Sequence, residues 1–153
     1  MIWSVLDLSV PAHAYPTQVY FPELLAPLLR SLLHLTSPPF FSQLDTLLPS
    51  PVVYISYKIR SLAKETAFWS AFGLWFEFQP VLQQIAQDGV WQRFGSDFDD
   101  ATFLFVAQRR HRSYHWAIPD SDVDLLLGVG AEGSNLPKVD DTFENLLLMA
   151  VDI

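Results

Sequence analysis

Few residues of this 153-residue chain stand at spacings that chemistry uses. Gly128-Val129-Gly130-Ala131-Glu132-Gly133 fits G-x-G-x-x-G, a run whose glycines let a backbone approach a pyrophosphate at a helix N-terminus. The apolar stretch Val123 to Leu127 precedes it, as a strand should. However, Ser134-Asn135-Leu136-Pro137 stands where the helix should begin, and the acid expected about 20 residues further on would fall at the end of the chain. The context favours a flexible turn. His111 and His115 are four apart, a metal-binding spacing on a helix, but no Glu follows His111, and the strand-like residues before it and Pro119 after it argue against a helix. No metal site is expected. Arg109, Arg110 and Arg112, with Tyr114 and Trp116, could hold a single-stranded nucleic acid by charge and stacking. A net charge of −8 opposes phosphate, so the cluster is expected to close the last strand and pair with the chain's own acidic C-terminal stretch; nucleic acid is not an expected partner. There is no Cys, hence no disulfide and no thiolate metal site. No Ser-His-Asp arrangement or carboxylate pair follows from the spacings.

These residues must be positioned by a core that is large for the chain. Half of the residues are hydrophobic and 17% are charged, below the usual quarter or so, and a chain this apolar leans on a partner surface or lacks part of its own fold. The charge is uneven. Residues 120–153 hold eight acids and one base, Lys138, for −7, whereas residues 1–119 hold nine acids and eight bases, for −1. The acidity belongs to the C-terminal stretch, which is read as a solvating segment or one for a basic partner. No apolar run reaches the roughly 18 residues that a spanning helix needs, so no membrane is expected. Ile2 to Val10 is mildly apolar and Ala12-His13-Ala14 has small residues, but no base precedes the apolar part and Asp7 interrupts it, so a signal peptide is not expected.

The periodicities then place the elements. Ile2 to Val10 could form a short strand, and Pro11 and Pro16 punctuate a loop. Tyr20 to Leu35 predicts a helix, with Phe21, Leu24, Leu25, Leu28, Leu29 and Leu32 on one face. Pro22 suits its first turn, Glu23 suits the positive end of its dipole, and Pro27 should kink or delay it. Val52 to Tyr57 is β-branched and aromatic, apolar on both faces, and predicts a strand buried on both sides within a partly parallel sheet. Ala63 to Leu74 predicts a helix with Gly73 near its C-terminal end. Trp75 to Leu82 and Thr102 to Gln108 predict two strands of an antiparallel hairpin with a long polar connection. Helix, buried strand, helix, strand, strand is an α/β order. A last amphipathic stretch, Asp141 to Val151, could be capped by Thr142.

Four segments together resemble one family. They are Tyr20-Phe21-Pro22-Glu23-Leu24-Leu25, Val53-Tyr54-Ile55-Ser56-Tyr57-Lys58-Ile59-Arg60, Glu65-Thr66-Ala67-Phe68-Trp69 and the closing strand Phe103 to Ala107. Their order and spacing resemble the C-terminal half of methyltransferase family 16, among the class I seven-strand methyltransferases dependent on S-adenosylmethionine, many of which methylate protein lysines. The resemblance covers roughly residues 20–112 and implies the helix after strand 4, strand 5, a helix, and antiparallel strands 6 and 7 of an incomplete Rossmann-like sheet. The family's acid-x-x-Tyr signature at the end of strand 4 is met at Tyr20, while Thr17 stands at the place of the acid. Strands 1 to 3, with the glycine loop and the ribose-binding acid, have no counterpart before residue 20.

The resemblance implies transfer of a methyl group to a neutral lysine amine by SN2 attack on S-adenosylmethionine, with a protein substrate as partner, in the cytoplasm or nucleus. It implies a truncated form that binds the cofactor poorly or not at all and is inactive alone. Tyr20 would wall the lysine pocket, although a core Tyr fits that position equally, and Phe21 would flank it. Tyr57, Lys58 and Arg60 lie at the end of strand 5, the end that faces the ligand in open α/β sheets; two solvated charges in a turn is the plainer reading of Lys58 and Arg60. The run Phe68, Trp69, Phe72, Trp75, Phe76 and Phe78 is expected to be core. Residues 1–19 are expected to be an irregular leader or degenerate strand, 20–112 the partial domain, and 113–153 an acidic extension. The alternative is a non-catalytic interaction module that uses an exposed sheet edge and the acidic segment.

Overall fold

The computed structural model describes residues 4–7, 22–37, 51–85, 89–95 and 102–151. Its main sheet has four strands: β1 (Ser4–Asp7), β2 (Val52–Lys58), β3 (Phe76–Pro80) and β6 (Thr102–Arg109), in the spatial order β1-β2-β6-β3. β1 runs parallel to β2, with Asp7 beside Ser56; β6 is antiparallel to both β2 and β3, with Lys58 beside Thr102 and Phe76 beside Arg109. A second ribbon, β4 (Leu82–Gln84) with β5 (Trp91–Arg93), is built into the connection between β3 and β6. The helices are α1 (Leu25–Leu35), α2 (Leu62–Trp75), α3 (Asp122–Leu126) and α4 (Thr142–Val151). The chain is therefore a mixed α/β protein.

Two sequence expectations are corrected here. The truncation that the resemblance implies would leave β2 near the edge of its sheet; β1 lies inside the candidate strand Ile2 to Val10 and pairs with Val53 to Ser56 of β2, so β2 is interior. β2 was also expected to be buried on both faces. Val53, Ile55 and Tyr57 are buried, whereas Val52, Tyr54 and Ser56 are only half-buried, because all four helices contribute to the core on one face.

Pro27 sets the start of α1. A 3-10 turn, Pro22–Leu24, precedes the helix, and Pro27 falls in its first turn, where a missing N–H leaves no intrahelical bond unmade. Leu29, Leu32 and Leu33 are buried, while Leu24 of the expected face is exposed. α2 is covered on most of its circumference. Glu65, Phe68, Trp69, Ala71, Phe72, Gly73 and Trp75 are all buried, the pattern of a central helix rather than a surface one. Gly73 is not a cap. It lies inside α2, where a Cβ would overlap the Asp140 carboxylate, so it is the notch through which the later chain passes.

The acidic C-terminal stretch is part of this fold, in contrast to the extension expected from its charge. Leu125, Ala131 and Phe143 are fully buried. The Phe143 ring stacks on Trp69 at 4.9 Å and meets Tyr57 at 5.8 Å. Asp140 rather than Thr142 serves the start of α4, its Oδ1 accepting the Thr142 N–H at 3.0 Å. Substituting Phe143 by Ala should therefore destabilise the protein by about 3–5 kcal/mol in urea unfolding. A solvated tail would give a change within about 0.5 kcal/mol.

Candidate functional site

Because β1, β2 and β3 all run the same way, their carboxyl ends share one end of the sheet, where ligands bind in open α/β folds. β2 ends there at Lys58, and Ile59 to Ser61 turn the chain into α2. Glu65, in the first turn of α2, organises that turn. Its carboxylate is buried (2% exposed) and accepts a short hydrogen bond from the Tyr57 hydroxyl, with longer ones from the backbone N–H groups of Ser61 at 3.3 Å and Arg60 at 3.5 Å. A buried carboxylate is tolerated when donors replace its lost water, and three donors converge here. The acid also sits at the positive end of the α2 dipole.

The β4–β5 ribbon projects from the same end. Val81 N–H bonds Leu104 O at 2.8 Å, and the Arg93 guanidinium lies 3.9 Å over the Phe103 ring while donating to Thr102 O. The ribbon and its flanks carry exposed Leu82, Val90, Trp91 and Phe94.

Of the residues singled out by sequence, Lys58 is exposed and Arg60 half-buried at this end, consistent with rim positions. Tyr57 is displaced from that role. It is 4% exposed, turned into the core against Trp69 at 4.9 Å, and its hydroxyl is engaged by Glu65. Tyr20 and Phe21 lie outside the described residues. No protein-family model, curated protein or solved structure matches this chain. A hollow of about 380 Å³ lies elsewhere, on the half-buried face, lined by Val52, Tyr54, Glu77, Gln79, Val106 and Gln108. It lies towards the amino end of β2, so it does not extend the candidate site.

The arginine cluster marks the opposite end of the sheet. Arg109 is 5% exposed. Its guanidinium donates to Leu33 O at 2.7 Å, to Ser37 Oγ, and to Ser113 Oγ and O at 2.9 and 3.0 Å, closing the C-terminus of α1. Burial pushes its pKa down from the usual guanidinium value, and Tyr114 acts in the other direction. Arg110 reaches Gly73 O at 2.8 Å and the carboxylates of Glu77 and Asp140 at 3.4 and 3.7 Å. Among the described residues it is the one arginine of the cluster ion-paired with the acidic C-terminal stretch, whereas the whole cluster was expected to pair there. His111 and His115 stand on a 3-10 turn, and no group of three or more metal-ligating side chains occurs among the described residues. No described helix is long and apolar enough to cross a membrane.

Sequence reasoning missed Glu65 as an organising residue. Its only local signal is an acid placed four residues after Ser61, the residue that precedes α2. Removing it strands three donors, whereas Tyr57→Phe removes one of its bonds. Glu65→Ala should thus cost about 2–4 kcal/mol and Tyr57→Phe about 1 kcal/mol in urea unfolding. Equal losses would show that the backbone N–H groups of Arg60 and Ser61 draw nothing from Glu65.

Proposed function

We propose that this chain is the acceptor-side half of a protein-lysine methyltransferase-like domain. The observation that carries the reading is the strand order. A parallel pair, β1–β2, followed by antiparallel β6 and then β3, is the order that the sequence resemblance implies for its strands 4, 5, 7 and 6. In this reading β1 stands for strand 4, although it ends at Asp7, well before the Thr17 to Tyr20 position of the strand-4 signature, and β2 stands for strand 5. Lys58 and Arg60 then stand at the rim of the acceptor crevice. Their positive charge would disfavour the ammonium form of an incoming lysine, which helps a reaction that requires the neutral amine. The remaining contribution of this half is to position the acceptor, with no covalent intermediate.

The described residues do not fit S-adenosylmethionine. The one G-x-G-x-x-G run follows helix α3, not a strand. Gly128 and Gly130 take φ of +76° and +90°, and the space a ligand would approach is filled by the chain's own backbone, the carbonyls of Lys138 and Ala117. The run is a tight turn. No step through the cofactor is therefore assigned to these residues, and the cofactor-binding half is assigned to strands that would extend the sheet beyond β1.

Calorimetric titration of S-adenosylmethionine into the 153-residue chain should show no binding in the micromolar range. Micromolar binding by the chain alone would overturn the division of labour proposed.

A further inference from the structure

Residues 127–141 cross the outside of α2 as a pinned loop. Lys138 N–H bonds Leu127 O at 3.0 Å, and Gly130 N–H bonds Ser134 O at 2.8 Å. Lys138 is ion-paired with Glu132, and Asp140 sits against Gly73 with its N–H on Ser70 Oγ at 2.9 Å. Although the backbone is held, three of its larger apolar side chains are left in water. Val139 is 86% exposed, Leu136 72% and Leu127 49%, with Pro137 exposed beside them. Single exposed leucines are ordinary, but here a tertiary hydrogen bond brings Leu127 to the Leu136–Val139 strip.

The surroundings are acidic. Residues 120–153 carry eight acids against one base, and that base, Lys138, is held by Glu132. The hydrogen bond and charge of Lys138, in that order, keep the Glu132 carboxyl below its ordinary pKa. Among the described residues, Asp124 and Asp141 have no ion-pair partner.

We propose that this surface docks a basic segment of another protein, one in which Lys or Arg residues alternate with apolar side chains. The charge selects this occupant. A second copy of the chain would bring the same −7 stretch against itself, and nucleic acid or an anionic lipid surface would be repelled. The exposed Leu127, Leu136 and Val139 supply apolar area, while the unpaired acids set orientation and association rate. The proposal goes beyond the methyl-transfer reading and does not depend on it, since the loop lies on the helical side of the sheet.

The test is fluorescence anisotropy of a labelled peptide of four Lys-Leu-Ser repeats, titrated with the full chain. The expected result is binding that weakens as salt is raised. Peptides of Glu-Leu-Ser or Lys-Ser-Ser repeats should bind about tenfold or more weakly, and so should the Leu136→Ser/Val139→Ser variant with the original peptide. Both substituted side chains are exposed, so the melting temperature of that variant should be unchanged. A second variant, Asp124→Asn/Asp141→Asn, should lose most of the salt dependence. Undiminished binding by the serine variant, or equal binding of the acidic peptide, overturns the proposal. So does a dimer in sedimentation that the serine variant abolishes, which would assign the patch to a second copy.

Discussion

The Trp69 indole is the point on which the rest of the structure depends. Its ring lies within 5.6 Å of six other aromatic rings, those of Tyr57, Phe68, Phe72, Phe78, Phe105 and Phe143. These come from its own helix, α2, and from β2, β3, β6 and α4, so one side chain joins five elements. A fully buried Trp removes about 150–250 Å² from water, worth about 4–6 kcal/mol at the usual coefficient. Against this stands its Nε1–H, which is buried without a partner and costs about 1–3 kcal/mol. Burial wins by a margin of a few kcal/mol. That margin explains how a residue with an unmet donor can sit at the centre of the core.

Charged groups do the complementary work at the margins of this core. Arg109 closes the last turn of α1 and ties it to the turn after β6. Arg110 and Asp140 meet at the Gly73 notch, and Arg30 holds Asp122 of α3 at 2.8 Å. The exposed pair contributes little by itself. Arg109 matters more, because it is buried and its donors are matched to carbonyls and hydroxyls. Together these contacts fold the acidic C-terminal stretch back over α2, although its composition suits water.

The two ends of the sheet are thereby given different tasks. The amino end of β2 and the start of β3 are sealed by the arginine cluster and the residues that follow it. The carboxyl ends of β1, β2 and β3 are left to a turn organised by Glu65 and to the β4–β5 ribbon with its exposed Trp91 and Phe94. The acceptor crevice proposed for that end and the docking surface proposed for the helical side are spatially separate. One chain can hold both.

The regular elements were legible in the sequence because each is specified by local pattern. β2, α2, β3 and β6 fall within one or two residues of the ranges that alternation, helical spacing and Gly/Pro punctuation predict. The exposure of Lys58 follows from its place at the end of β2. Tertiary structure decided what local pattern cannot carry. Tyr57 reads as a rim residue until Glu65 is seen to take its hydroxyl into the core. Gly73 reads only as a residue near a helix end until Asp140, 67 positions later, fills the space of its absent side chain. Residues 113–153 read as a solvated extension because eight of the 17 acids lie there, yet Phe143 finds a stacking partner that only the folded chain places within reach. The physical reason is common to all three. Burial of a polar or charged segment depends on donors, acceptors and rings from remote elements, and no window of sequence contains them.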